Sequence, residues 1–227
     1  KLRTGIELSC QWMGNPLHIV AVDVDPSNDS LNLLVRDLIS VRFRRAQRIC
    51  DRLEKKGFRG GLEGAINLAG NAPISRPHFA KWMTMQGYTK SESAAFKSYL
   101  GRGKIGDVSA DWPPLDYILQ IIHRAGGISI LAHPLKYGFT NTKLRKLITE
   151  FCVRGGMAIE VISGRQTSER TSKLISLAND FSLAVSVGSD FHSDHSFRAD
   201  IGINTSNLPF NSGIWNENSF EYMEDFK

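Results

Sequence analysis

Five side chains in this sequence could share metal ions. Asp190 and His192 stand two residues apart, just past the apolar run Leu183 to Val187 and the small-residue turn Gly188-Ser189. In an extended segment, residues i and i+2 point to the same side, so this carboxylate and imidazole could grip one cation. The run Ile128 to Ala132 has the same build and ends in His133, followed by Pro134, which stops strand pairing. Glu7 and His18 lie on two further apolar runs separated by a turn. Each alone reads as readily as a capping Asp, a surface His or an exposed strand carboxylate. Together, three imidazoles and two carboxylates form a hard-to-borderline N/O donor set suited to Mn, Fe, Zn or Mg. Such a set serves hydrolysis, because a bound cation lowers the pKa of water and stabilises the attacking and leaving oxygens of phosphoryl transfer. The sequence has no Gly-x-Ser-x-Gly elbow and no positioned Cys nucleophile, which leaves metal-activated water as the economical chemistry.

These residues need strands that end together. Ile6 to Leu8 and His18 to Val24 read as two short strands, with a turn at Gly14-Asn15-Pro16. From Pro114 the chain alternates. Helices are expected at Leu115–Ala125, Thr142–Arg154 and Ser168–Phe181, and strands at Ile128–Ala132, Ala158–Ile162 and Leu183–Val187. That rhythm is the signature of βα units with parallel strands, whose C-terminal ends are where α/β barrels keep their chemistry. A last strand is expected at Ile201–Ile203. Residues 40–113 interrupt the rhythm with helices. Apolar positions at helical spacing run from Ser30 to Lys56, and shorter helices are expected at 62–69, 76–86 and 91–100. The division is therefore a barrel domain of residues 1–39 and 114–227 and an inserted helical subdomain of residues 40–113. Within the insertion, Ser75-Arg76-Pro77-His78 reads as a helix start. Gly101-Arg102-Gly103-Lys104 would let backbone approach an anion, though it lacks the spacing of a P-loop.

The composition is that of a globular protein: 227 residues, 41% apolar, 22% charged. No run approaches the roughly 20 apolar residues of a membrane span, and no signal peptide is evident. Three widely spaced cysteines, Cys10, Cys50 and Cys152, suggest reduced thiols and a cytoplasmic protein. The net charge of +5 is compatible with a polyanionic partner.

Gly5-Ile6-Glu7-Leu8-Ser9, His18-Ile19-Val20, Leu131-Ala132-His133-Pro134 and Gly188-Ser189-Asp190-Phe191-His192 resemble the later motifs of the PHP (polymerase and histidinol phosphatase) superfamily. Ser75-Arg76-Pro77-His78-Phe79-Ala80 and Tyr99-Leu100-Gly101-Arg102-Gly103-Lys104 resemble the insertion of its bacterial 3′,5′-nucleoside bisphosphate phosphatases and 5′-to-3′ exoribonucleases. The resemblance implies an α/β fold, a distorted (β/α)7 PHP barrel with an inserted helical subdomain. It implies two or three divalent ions, often manganese, with Mg2+, Fe2+ or Zn2+ as alternatives. The metal ligands would be Glu7, His18, His133, Asp190 and His192, and Glu7, His133, Asp190 and His192 would form the catalytic set. Arg76, His78, Arg102 and Lys104 would face the phosphates of a nucleotide or short RNA. The superfamily's first motifs, a His-x-His and a later Asp-His, do not occur before Gly5, so the barrel is expected to be incomplete at its N-terminus. Two other readings stand beside hydrolysis of nucleotides: a catalytically inactive nucleotide- or RNA-binding fragment, and a phosphatase for a non-nucleotide ester.

Overall fold

A computed structural model describes residues 2–191, 201–205, 208 and 212–216. The chain divides into two compact units, one of residues 1–32 and 113–227 and one of residues 33–112.

The first unit is built on a five-stranded sheet in sequence order. Strands β1 (Gly5–Trp12) and β2 (Asn15–Val22) form an antiparallel hairpin, β2 pairs antiparallel with β3 (Ile128–Leu131), and β4 (Ala158–Ser163) and β5 (Ala184–Gly188) continue parallel. The hairpin is longer than the sequence suggests, and its turn is Met13-Gly14, both at positive φ. This is the twist that a two-residue hairpin loop favours. Pro16 therefore sits inside β2, opposite Gln11. The N–H of Gln11 points away from the hairpin, to the carbonyl of Pro113, which marks a pair that exchanges no hydrogen bonds. Pro16 has no ladder bond to lose there. The expected strand at Ile201–Ile203 does not form. Gly202 has φ 102, outside the strand region, Ile201 is exposed, and the segment pairs with no strand among the described residues.

Helices α5 (Leu115–Arg124), α6 (Asn141–Val153) and α7 (Ser168–Asp180) link the strands. Helix α5 packs on β1, β2 and β3, and α7 on β4 and β5. Their buried stripes, such as Ile118, Ile122, Leu147, Phe151, Leu174 and Ala178, recur at three- and four-residue spacing. The opposite face carries a row that crosses the whole sheet: Glu7, Val20, Ile130, Ala158 and Ala184 are successive cross-strand partners. With a side-chain period of two, His18, Glu160 and Ser186 belong to the same face, toward the C-terminal ends of the parallel strands.

Helix α1 (Asp29–Glu54) begins in the first unit and continues into the second, with α2 (Gly61–Ala69), α3 (Arg76–Met85) and α4 (Glu92–Ala95), which runs into a π-helical turn at Phe96–Leu100. The second unit has its own apolar core, including Ile49, Leu53, Phe79, Met83 and Leu100. Helices α2 and α3 approach closely because Gly61 and Gly64 face the Trp82 indole; a Cβ on Gly64 would lie 2.1 Å from its Cδ1. Among the described residues, no helix is long and apolar enough to cross a membrane. Cys10, Cys50 and Cys152 are free thiols.

Candidate metal centre

Glu7, His18 and His133 converge where β3 ends. Glu7 stands beside His18 diagonally across the hairpin, since Glu7 pairs with Val20 and His18 with Ser9. Glu7 Oε1 lies 2.9 Å from His18 Nδ1 and 3.2 Å from His133 Nε2, and the two nitrogens are 3.2 Å apart. The imidazoles meet edge to face, with centroids 5.1 Å apart. Hydrogen bonds from His133 and then His18 hold the Glu7 carboxyl well below the usual carboxylate range.

The donor set fits a divalent cation. A carboxylate contributes no proton, and each neutral imidazole has one ring N–H and one lone pair. A cation can satisfy all three converging atoms at once. Ligands at roughly 2.1 Å in adjacent octahedral positions are separated by roughly 3.0 Å, close to the spacing seen here. Among the described residues, these are the His, Cys, Asp and Glu side chains that group tightly enough to hold an ion.

The backbone around the cluster is tied together. The Tyr137 hydroxyl, in the 3-10 turn Pro134–Tyr137, accepts from His18 N at 3.0 Å and donates to the Ala132 carbonyl at 2.8 Å. Ala132 N donates to the His18 carbonyl at 3.2 Å, which extends the β2–β3 pairing to the ligands. His133 itself has φ 31 and ψ 55, a left-handed conformation rare outside glycine.

Asp190 lines the same cleft of about 370 Å³ as Glu7, His133, Glu160, Ser186 and Gly188. It forms an ion pair with Lys136 and stands outside the Glu7–His18–His133 cluster. Asp190 itself has φ 49, in the left-handed rather than the extended region. His192 lies outside the described residues.

The four insertion residues belong to the second unit. Arg76 Nη1 donates to the Leu100 carbonyl at 3.1 Å and to Asp107 at 3.3 Å, and Asp107 also accepts from Gly103 N at 2.8 Å. The glycine loop is thus braced by its own carboxylate. His78 Nδ1 accepts from Ser75 N at 3.0 Å, so His78 completes a capping box at the start of α3. Arg102 and Lys104 are exposed.

Sequence reasoning missed Glu160, Lys136 and Tyr137. Glu160 had a signal, being the one charged residue in the apolar strand Ala158–Ser163. It is 9% exposed, and burial pushes its carboxyl up to about 7, partly offset by the His133 N–H that it accepts. The roles of Lys136 and Tyr137 are tertiary and left no local pattern.

No family model matches the chain. The chain is 38% identical over 192 residues to a 5′-3′ exoribonuclease of Haemophilus influenzae, covering 85% of this chain and 70% of the relative. It belongs to the family of these bacterial exoribonucleases. A 3′,5′-nucleoside bisphosphate phosphatase of Chromobacterium violaceum falls in the same family, 34% identical over 214 residues, which is 94% of this chain and 75% of the phosphatase. The named relatives are therefore phosphoester hydrolases, as the motifs imply. A solved amidohydrolase structure from Chromobacterium violaceum, with bound sulfate and no metal, superposes with a TM-score of 0.83 at 32% identity, covering 94% of this chain and 74% of that one. The chain spans 64% to 75% of the lengths of the curated exoribonucleases and the phosphatase it matches.

Proposed function

We propose that the protein is a divalent-metal-dependent phosphoesterase acting on nucleoside 3′,5′-bisphosphates or on RNA 5′ ends. The observation that carries the reading is the convergence of Glu7, His18 and His133, in a chain related to enzymes that cleave phosphate esters. Asp190 and His192 are read as the remaining ligands, with manganese the ion used. A divalent cation held there lowers the pKa of water and offsets charge developing on a phosphate. Glu7, as a carboxylate, gives the cluster its negative charge, while the two imidazoles add directional lone pairs. Lys136 pairs with Asp190, which lines the cleft.

Arg76, His78, Arg102 and Lys104 are read as contacts to substrate phosphates. Arg102 and Lys104 are exposed, and among the described residues Arg76 commits only Nη1 to its neighbours. Lys and Arg outnumber Asp and Glu roughly two to one between residues 33 and 112, a balance suited to a polyanion. The mixed sheet with parallel β3, β4 and β5 is read as part of a distorted (β/α)7 barrel, and the free thiols as those of a cytoplasmic protein.

The test pairs metal content with turnover. His18→Ala and Glu7→Gln should each lower bound manganese and slow release of phosphate or nucleotide from both substrate types. Undiminished metal content and turnover in both variants would refute the assignment.

A further inference from the structure

We propose that Glu160 is a positioning residue: it clamps the Ala132–His133 peptide so that the His133 imidazole meets Glu7 and His18. The inference rests on the metal-site reading above.

A carboxylate buried in an apolar strand needs compensation, because desolvating it without a partner is costly. Glu160 finds that partner in a backbone amide. Its Oε2 accepts from His133 N at 2.6 Å. Its Oε1 lies over Gly188, where any Cβ would come within 2.6 Å of it. Glycine at the end of β5 thus leaves room for the carboxylate, and both oxygens have fixed surroundings.

The amide it holds belongs to an unusual peptide. The carbonyl on the same peptide plane, that of Ala132, accepts from the Tyr137 hydroxyl at 2.8 Å. One peptide group is therefore gripped at both ends, by Tyr137 on its oxygen and by Glu160 on its nitrogen. His133, immediately after, adopts φ 31 and ψ 55. Such backbone persists only where its surroundings over-determine it.

The ring packs edge-on against Tyr137 and His18, but among the described residues no hydrogen bond anchors its far nitrogen. A metal-binding His ordinarily donates its second ring nitrogen to a carboxylate or carbonyl, which fixes the orientation of the imidazole. His133 Nδ1 is buried without a hydrogen-bond partner among the described residues. With no hydrogen bond on Nδ1 to orient the ring, the backbone carries much of that task, and Glu160 holds that backbone. Glu160 also lies outside the cluster of converging donor atoms, which separates its role from that of a ligand.

The experiment measures manganese affinity by calorimetry, with thermal melting to verify folding, in the full-length protein and in Glu160→Gln, Glu160→Asp and Glu160→Ala. Gln keeps an acceptor at the same reach without the charge, whereas Asp keeps the charge and withdraws the acceptor. Positioning predicts that Gln stays within about threefold of the parent, while Asp and Ala weaken manganese binding by about 10- to 100-fold. The opposite order, with Asp retained and Gln lost, would make Glu160 a charge or ligand and overturn the proposal. Parent-like affinity in Ala would also overturn it. Should Ala fail to fold, the Gln–Asp comparison decides alone. His18→Ala is the control on the underlying site: if it binds manganese as tightly as the parent, the metal-site reading fails, whatever the Glu160 series shows.

Discussion

The capping box at α3 makes the stability of the helical unit depend on pH through one imidazole. Ser75 N donates to His78 Nδ1 at 3.0 Å, and Ser75 Oγ lies 3.2 Å from the same atom. Only the neutral ring offers a lone pair there. Burial, and then the charge of Lys81, hold the His78 pKa below its ordinary value. A His whose folded pKa is depressed binds fewer protons folded than unfolded just below the ordinary pKa. Its contribution is therefore present above that pKa and is lost as pH falls through the folded one. Losing an N-terminal cap costs about 1 kcal/mol, which in a chain of this size lowers Tm by about 2–4 °C. His78→Gln keeps an acceptor at the third helical position and cannot titrate. Melts followed by circular dichroism at about pH 7.5 and about pH 5, on either side of the ordinary His pKa, should show equal stability at the higher pH. At the lower pH the Gln variant should lead by about 2–4 °C. The difference between the two proteins cancels Glu7, Glu160 and the other groups that titrate in both. Parallel loss of Tm in parent and variant would refute the capping account. A raised KM in His78→Gln with unchanged melting would instead place the imidazole against substrate.

Gly64→Ala forces a methyl group into the Trp82 indole, and overpacking of this kind costs about 1–3 kcal/mol. Chemical denaturation should show that loss, and a midpoint equal to the parent's would mean that α2 and α3 separate freely. Thiol labelling should rank the cysteines. Cys10 is fully buried with its thiol pushed up to about 12, so a maleimide near neutral pH should modify the partly exposed Cys152 first and Cys10 only on unfolding, as read by mass spectrometry.

The alternation from Leu115 to Gly188 was legible because each βα unit buries a short apolar run and an amphipathic helix, and the bounds found lie within a residue or two of those expected. The hairpin was less legible. Pro16 reads locally as a turn, and only its place opposite Gln11 shows why a strand tolerates it. Ile201–Ile203 has the composition of a strand but no strand partner among the described residues. Of the candidate ligands, Glu7, His18 and His133 come together, His133 just past the end of β3 but Glu7 and His18 from within β1 and β2 rather than at their ends. Asp190 reaches the cleft on a left-handed turn rather than an extended segment. Glu160 left a signal only as a lone charge in a buried strand, which changes neither length nor period. Arg76 and His78 are expected at phosphates; the bond of His78 to Ser75 is local to the helix start that the sequence marks, whereas the bonds of Arg76 to Leu100 and Asp107 are tertiary and have no signature in a linear motif.

The β2–β3 register also has a consequence for how the protein folds. His18 and His133 are 115 residues apart in sequence, and the whole helical unit lies between them. The hairpin of β1 and β2 needs only a two-residue turn, and the parallel β3–β4–β5 pairings need one helix each, whereas β2 can meet β3 only after a very long loop closes. Closure entropy grows slowly with loop length, but contacts this distant in sequence slow the search for the native state. A helical unit that has already collapsed shortens the effective loop. These separations predict an order in which the local hairpin and helices form first and the β2–β3 seam last. On that order the three donor atoms would become neighbours only as the seam closes.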